Sequence, residues 1–310
     1  MAVTDLNLNF VGETAGVIAS CLWTVSSLVF TSAGKRIGSL SVNAYRTVMA
    51  LGFLAVAHVI LLGTLLPVAS KAQWFWMGVS GIVGLGIGDG GLLAAYVTIG
   101  PRRSALVMAL SPIFASIVAY FMLGEVLPTL AVAGIAITLA GVVVVILEEE
   151  ERSGEAHLSR RLKGYGVFLA LVGAIGQGVG LVLAKKGIDL NPEATLNPLS
   201  ATLMRLVLGA LSAWVVMLLA GRLSELHYAS RSREGMSSTA LGSFVGPFLG
   251  ITLSMVAVTY TDAGVAQTLM SLMPVLIIPA VWLQYKQKTS WRGIVGAIIA
   301  VVGVGILFLA

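Results

Sequence analysis

The chain has 310 residues, of which 57% are hydrophobic and 11% charged, with a mean hydropathy of +0.96. A soluble domain carries roughly 25% charged residues, so this composition argues against a soluble globular fold and for a membrane protein. The net charge of +5 and pI near 9.5 would suggest nucleic acid as a partner in a soluble protein, but here Lys and Arg fall between apolar segments and read as topology signals.

A bilayer core about 30 Å thick takes roughly 20 apolar helical residues per crossing. Runs of that kind occur near 11–33, 42–66, 74–99, 103–123, 126–147, 164–184, 198–220, 237–260, 263–283 and 291–309. None alternates with the period of two expected of a barrel strand. The expectation is an all-α integral membrane protein with ten transmembrane helices.

In the first run, the preceding MAVTDLNLNF lacks the basic region of a secretory signal, so the run is expected to be a retained span. It carries Cys21, the only cysteine, expected as a small buried apolar residue, and Trp23, which could wall an amphipathic solute. The second run holds Arg46 a few residues from its start and His58 at mid-span, the latter expected to be a hydrogen-bonded packing residue.

The third run contains GLGIGDGG, Gly84–Gly91, whose Gly86, Gly88 and Gly91 spell G-x-G-x-x-G. A dinucleotide turn needs a strand before the glycines, a helix after them and an acidic residue about 20 positions on, and no carboxylate occurs around Met108–Ser111. The pairs Gly84/Gly88 and Gly86/Gly90 instead have the G-x-x-x-G spacing that lets membrane helices approach closely. Asp89 is a separate matter, since a carboxylate at mid-span costs roughly 2.5–3.5 kcal/mol on insertion scales. It needs a wet cavity, a partner or a proton, which makes it a candidate for solute binding or proton coupling.

The fourth run holds Ser111 and Pro112 and the ninth holds Pro274, with Pro279 beyond it; kinks at these prolines would free backbone carbonyls to line a pathway. Gln177 and Gln267 lie deep in the sixth and ninth runs, as cavity groups or helix-to-helix hydrogen bonds. Arg205 opens the seventh run as Arg46 opens the second; such residues can snorkel to headgroups or attract a carboxylate or phosphate on a solute.

The charged stretch EEEERSGEAHLSRRLK, 148–163, divides five runs from five. A shift of 162 positions aligns Val83–Leu147 with Val245–Leu309 without a gap, matching Gly84 to Gly246, Gly88 to Gly250, Pro112 to Pro274, Gly134 to Gly296 and Gly141 to Gly303. Nearer the start of each half a shift of 150 places Gly16 on Gly166 and Lys35-Arg36 on Lys185-Lys186. The expected organisation is a repeat at 1–147, a connector at 148–163 and a second repeat at 164–310. Five helices per repeat would invert the second relative to the first and put a substrate site near the midplane between them.

The stretches ASCLWTVSSLVF (Ala19–Phe30), AYRTVMA (Ala44–Ala50) and SALVMALSPIFASIVAYFMLGEVLPTLAVAGIAITLAGVVVV (Ser104–Val145) resemble the repeat unit of EamA-type transporters in the drug/metabolite transporter superfamily. The similarity is sharpest at Trp23, Arg46, Ser111-Pro112 and Leu123-Gly124-Glu125; Gly173 stands where Trp23 would repeat, and Gln287 where Glu125 would. The resemblance implies ten helices around a central cavity and transport, commonly export, of amino acids, other metabolites or drugs. Trp23, Arg46, Asp89, Ser111, Gln177, Arg205 and Gln267 are the candidate substrate-binding residues, with the solute and a proton as partners and a multi-pass location in the bacterial inner membrane.

No enzyme is expected. GVSG, Gly78–Gly81, resembles an intramembrane serine protease site but lacks a suitably placed His, and neither H-E-x-x-H, a Cys/His cluster nor a P-loop occurs, so no metal or cofactor is expected. The alternative class is a membrane receptor or assembly subunit that binds without transporting. If ten helices alternate, 14 of the 19 Lys and Arg fall on one side, among them Lys35, Arg36, Arg222 and Arg233, against Lys71, Lys185 and Lys186 on the other. The positive-inside rule then places both termini outside, whereas the resemblance implies both in the cytoplasm.

Overall fold

Away from water an apolar segment satisfies its backbone polar groups most simply as a helix. The computed structural model, which describes residues 10–153, 160–190, 196–273, 275–276, 291–307 and 309, is helical with no strand among those residues. The helices are α1 (Val11–Ile37), α2 (Ser39–Leu62), α3 (Lys71–Thr98), α4 (Gly100–Met108), α5 (Ser111–Leu123), α6 (Thr129–Ser153), α7 (Arg160–Ile188), α8 (Pro198–Leu219), α9 (Leu223–Arg231), α10 (Arg233–Tyr260), α11 (Ala263–Met270) and α12 (Trp291–Leu307). Six of them (α1, α2, α3, α7, α8 and α10) are long and apolar enough to cross a membrane, and Ser111–Leu123, Thr129–Val144 and Trp291–Leu307 are shorter apolar helices.

Several elements depart from the sequence expectation. The fourth run is two helices: Gly100, at φ 83, turns the chain out of α3 into α4, and a second turn at Ala109-Leu110 precedes α5. Pro112 therefore does not kink a helix. It stands in the first turn of α5, where its missing N–H would have had no intrahelical partner. Pro274 and Pro279 lie outside the described residues. α6 and α7 run into the expected 148–163 connector from both sides, to Ser153 and from Arg160. The nine-residue α9, too short to register as a spanning run, buries Leu226 and Ala229 and exposes Tyr228. Cys21 is exposed, contrary to expectation, because the outer face of a membrane helix is as apolar as its core and a small apolar residue has no need of burial there.

The two ends of the bundle are held differently. At one end Arg36 pairs with Glu234, and Tyr45 Oη donates to the Leu226 carbonyl at 2.9 Å. At the other, Lys185 Nζ lies 2.7 Å from Glu125 Oε1 and donates to the Thr261 carbonyl at 2.8 Å, while the Ala263 N–H donates to Glu125 Oε2 at 3.0 Å. Glu125 thus ties the start of α11 to the end of α7. Its replacement by Ala takes the nearest carboxylate from a largely enclosed Lys and the acceptor from a helix N-terminal N–H, and is expected to lower stability by roughly 1–3 kcal/mol, read as a fall in the thermal midpoint of the purified protein.

Inside the bundle, α3 is the most enclosed of the six long helices, 61% of its apolar window being buried, against 28% for α2. Glycine explains this. A Cβ placed on Gly176 would lie 2.6 Å from the Cα of Gly88, and one on Gly180 would lie 2.9 Å from the Cα of Gly84, so α3 and α7 touch backbone to backbone. Around these contacts Leu54, Met77, Leu85, Leu181, Leu203, Met204 and Met255 form the central apolar core.

Candidate functional site

The glycine-lined stretch of α3 is not regular α-helix. Gly81–Gly88 is π-helical, and Asp89 begins the α-helical turns that follow. Two carbonyls of this segment also accept from side chains of other helices: the Gly84 carbonyl, already bonded to the Asp89 N–H, is reached by Gln177 Nε2 at 3.4 Å, and the Gly86 carbonyl by Asn43 Nδ2 at 3.5 Å. Phe244–Gly250 in α10 is also π-helical, with Pro247 inside it, and leads into Ile251. Proline at that place removes one N–H from the helix ladder.

Asp89 is 3% exposed and is the one buried carboxylate among the described residues. Its Oδ2 accepts from Arg46 Nη2, and its Oδ1 from Gln177 Nε2. Arg46, 2% exposed, also donates from Nε to Asn43 Oδ1 at 3.0 Å and lies 5.4 Å from the centroid of the Phe30 ring. Four helices, α1, α2, α3 and α7, therefore converge on one ion pair. Pairing and hydrogen bonding are what make two opposite charges tolerable in so dry a place.

The network forms part of the wall of a cavity of about 110 Å³. The lining includes Trp23 and Phe30 from α1, Leu85, Leu92 and Tyr96 from α3, Met108 from α4, Leu181 from α7, Ile251 and Ser254 from α10, and Met270 from α11. Six of the seven candidate binding residues meet here: Trp23, Arg46, Asp89, Gln177, Arg205 and Gln267. Ser111 does not line the cavity. It is buried where α5 crosses α7, its carbonyl so near Gly178 that a Cβ there would come within 2.6 Å. Its place at the head of α5 turns it towards a helix contact.

Arg205 differs from Arg46 in its partners. It is 3% exposed, its Nε has no hydrogen-bond partner among the described residues, and its Nη1 rests 3.5 Å from the Met255 sulfur. The Gln267 side chain, 7% exposed, makes no hydrogen bond among the described residues. Both are left facing the cavity. His58 is apart from it, with Nδ1 2.5 Å from the Thr64 carbonyl and Nε2 2.9 Å from Ser200 Oγ, a packing residue engaged on both nitrogens.

The sequence model of the EamA-like transporter family matches residues 10–147 and again residues 164–309. The chain belongs to the EamA-like transporter family. It is accordingly an integral, multi-pass membrane protein of the drug/metabolite transporter type, for which a small solute and the lipid bilayer are the partners. A solved structure described as "Crystal structure of protein" is similar over 96% of this chain and 96% of its own, with a TM-score of 0.73 and 21% identity, a likeness of fold. No curated protein matches the chain. The cavity of this EamA-like chain takes residues from both matched stretches: Trp23, Arg46 and Asp89 from the first, Gln177, Arg205 and Gln267 from the second.

Sequence reasoning missed Asn43, which stands three residues before Arg46 and so on the same helix face. It also missed Phe30, seven residues after Trp23 and on the same face of α1. Both were within reach of helical spacing once Trp23 and Arg46 were singled out.

Proposed function

We propose that the chain is a secondary transporter of small organic solutes, an exporter driven by a proton or solute gradient, with no catalytic step. Its frame is ten transmembrane helices in two inverted five-helix repeats, 1–147 and 164–310, joined by 148–163, and the central cavity is its substrate site. The observation that carries this reading is the buried Arg46–Asp89–Gln177 network on a cavity wall shared by both halves. Charges this costly inside a membrane protein are worth keeping where a solute or proton changes their pairing.

Reciprocal contacts support the inverted arrangement. Gly134 lies against Gly303 and Gly141 against Gly296, and the 162-residue shift exchanges one pair for the other. Likewise Gly84 faces Gly176 as Gly246 faces Ser26, which the shifts of 162 and 150 also interchange. The halves differ where Trp23 packs on Gly250 while its counterpart Gly173 has Leu92 Cβ at 3.1 Å from where a Cβ would stand, which leaves no space for an indole. Asp89 has Ile251 as its counterpart, so proton coupling resides in the first half.

Flux of labelled amino acids, other metabolites and cationic drugs into proteoliposomes, with and without a proton gradient, tests the proposal; solute-specific flux is the expected result, and none for any class would sink it. In a Cys21→Ala background, Gln177→Cys and Gln267→Cys are each expected to react with a membrane-impermeant maleimide from water in at least one state. If both stay inert, these amides only pack helices together and the cavity is not on a pathway.

A further inference from the structure

The cavity's charges do not balance, and the imbalance names what it would take. Among the described residues three acidic or basic side chains line it: Arg46, Asp89 and Arg205. Asp89 uses both of its oxygens on Arg46 and Gln177, and the Arg46 guanidinium is further held by Asn43. Arg205 has no carboxylate within 4.0 Å among the described residues, no partner for Nε and only a thioether sulfur at Nη1. Among the described residues no other carboxylate lines the cavity; Glu125, Glu225, Glu234 and Asp262, for example, stand at helix ends. A buried guanidinium is a planar fork of five donors that keeps its charge, so desolvating it without an acceptor is costly unless a ligand supplies one.

We infer that the cavity binds a solute bearing a single carboxylate on a small apolar body, with Arg205 holding the carboxylate through its guanidinium. This deepens the reading of the cavity as the substrate site and rests on it. The charge count selects a monoanion: Arg46 and Arg205 less Asp89 leaves one positive charge, which one carboxylate neutralises and a phosphate dianion overshoots. The apolar body follows from Leu85, Leu181, Ile251 and Met270 on the surrounding wall. Gln267 and Ser254 are the neutral polar groups available to a further hydrogen-bonding substituent. Arg46 does not compete for the anion, because displacing Asp89 from it would leave that carboxylate unpaired.

The test is binding to the purified full-length protein of three probes with one body and different heads: 3-phenylpropanoate, its amide and 3-phenylpropylamine, with 2-phenylethylphosphonate as a dianion. Microscale thermophoresis or isothermal calorimetry reads each affinity. The carboxylate is expected to bind at least about tenfold more tightly than the other three, the scale of a lost charge-assisted contact. Arg205→Gln is expected to abolish that preference and Arg205→Lys to retain part of it, while Lys186→Gln, outside the cavity, leaves it unchanged. If Arg205→Gln does not fold, the wild-type ranking and Arg205→Lys decide the matter. Equal or better binding of the amide, amine or phosphonate, no binding of any probe at millimolar concentration, or an undiminished preference in Arg205→Gln overturns the inference. Carboxylate binding without flux in proteoliposomes overturns transport and leaves the anion site standing. Flux without preference for the carboxylate does the reverse.

Discussion

Asp89→Asn is expected to abolish the dependence of solute flux on a proton gradient in proteoliposomes, while exchange of solute down its own gradient persists. The argument starts from cost. A carboxylate at mid-span carries an insertion penalty of roughly 2.5–3.5 kcal/mol, and here the buried guanidinium of Arg46 offsets it through direct pairing. On the proposed coupling, a proton taken up by Asp89 would remove the charge that holds Arg46, so the pair would have two states that differ by one proton. Asn is isosteric but cannot ionise, and its amide NH2 turns a donor towards the N–H donors of Arg46 or Gln177 where the carboxylate offered an acceptor. The same substitution leaves Arg46 buried without its partner, which costs roughly 3–5 kcal/mol when a buried pair is broken. Folded yield is therefore expected to fall. Asp89→Asn combined with Arg46→Gln removes both charges, and is expected to recover folded protein without recovering proton coupling. Dependence on the pH gradient that survives in either variant retires Asp89 from the coupling role.

How much of this was legible in the sequence depends on the range of the interaction concerned. The helices were, because an apolar run long enough to span a bilayer has few other ways to satisfy its backbone; α2, α8 and α10 stand where such runs occur. The expense of Asp89, Arg46, Gln177 and Arg205 was also legible, since it depends on depth in a run. What could not be read was their pairing: Arg46 and Asp89 are 43 positions apart, Gln177 and Asp89 88, and nothing local says that Arg46 finds a carboxylate while Arg205 finds a sulfur. Ser111 failed as a cavity residue for the same reason, as the turn at Ala109-Leu110 sets α5 against α7. The π-helical stretches were hidden because glycine runs carry no side-chain periodicity from which to read a change of pitch.

Gly176→Val is expected to be the most disruptive single change where α3 and α7 touch backbone to backbone. Its Cβ would stand 2.6 Å from the Gly88 Cα and 2.8 Å from the Val83 carbonyl, both backbone atoms of α3. No flexible side chain is there to move aside, so the helices themselves have to part. Overpacking in a core costs typically 1–3 kcal/mol, and a clash of backbone on backbone belongs at or above the top of that range. Gly52 makes the control, because a Cβ there meets nothing within 4 Å; Gly52→Ala is expected to be neutral, or stabilising by up to about 1 kcal/mol through helix propensity. Thermal unfolding and size-exclusion profiles of the two variants compare these costs directly. Parting α3 from α7 also draws Gln177, the residue next to Gly176, away from Asp89, so the surviving folded fraction of Gly176→Val is expected to lose coupled flux more than its stability alone requires. A variant as stable and as well coupled as the parent would mean that α3 and α7 do not approach through their glycines. In that case the spacing in GLGIGDGG serves neither a nucleotide nor a helix contact. If the variant behaves as expected, the glycines and Asp89 form one device: the first bring two backbones together so that the second can be reached from both.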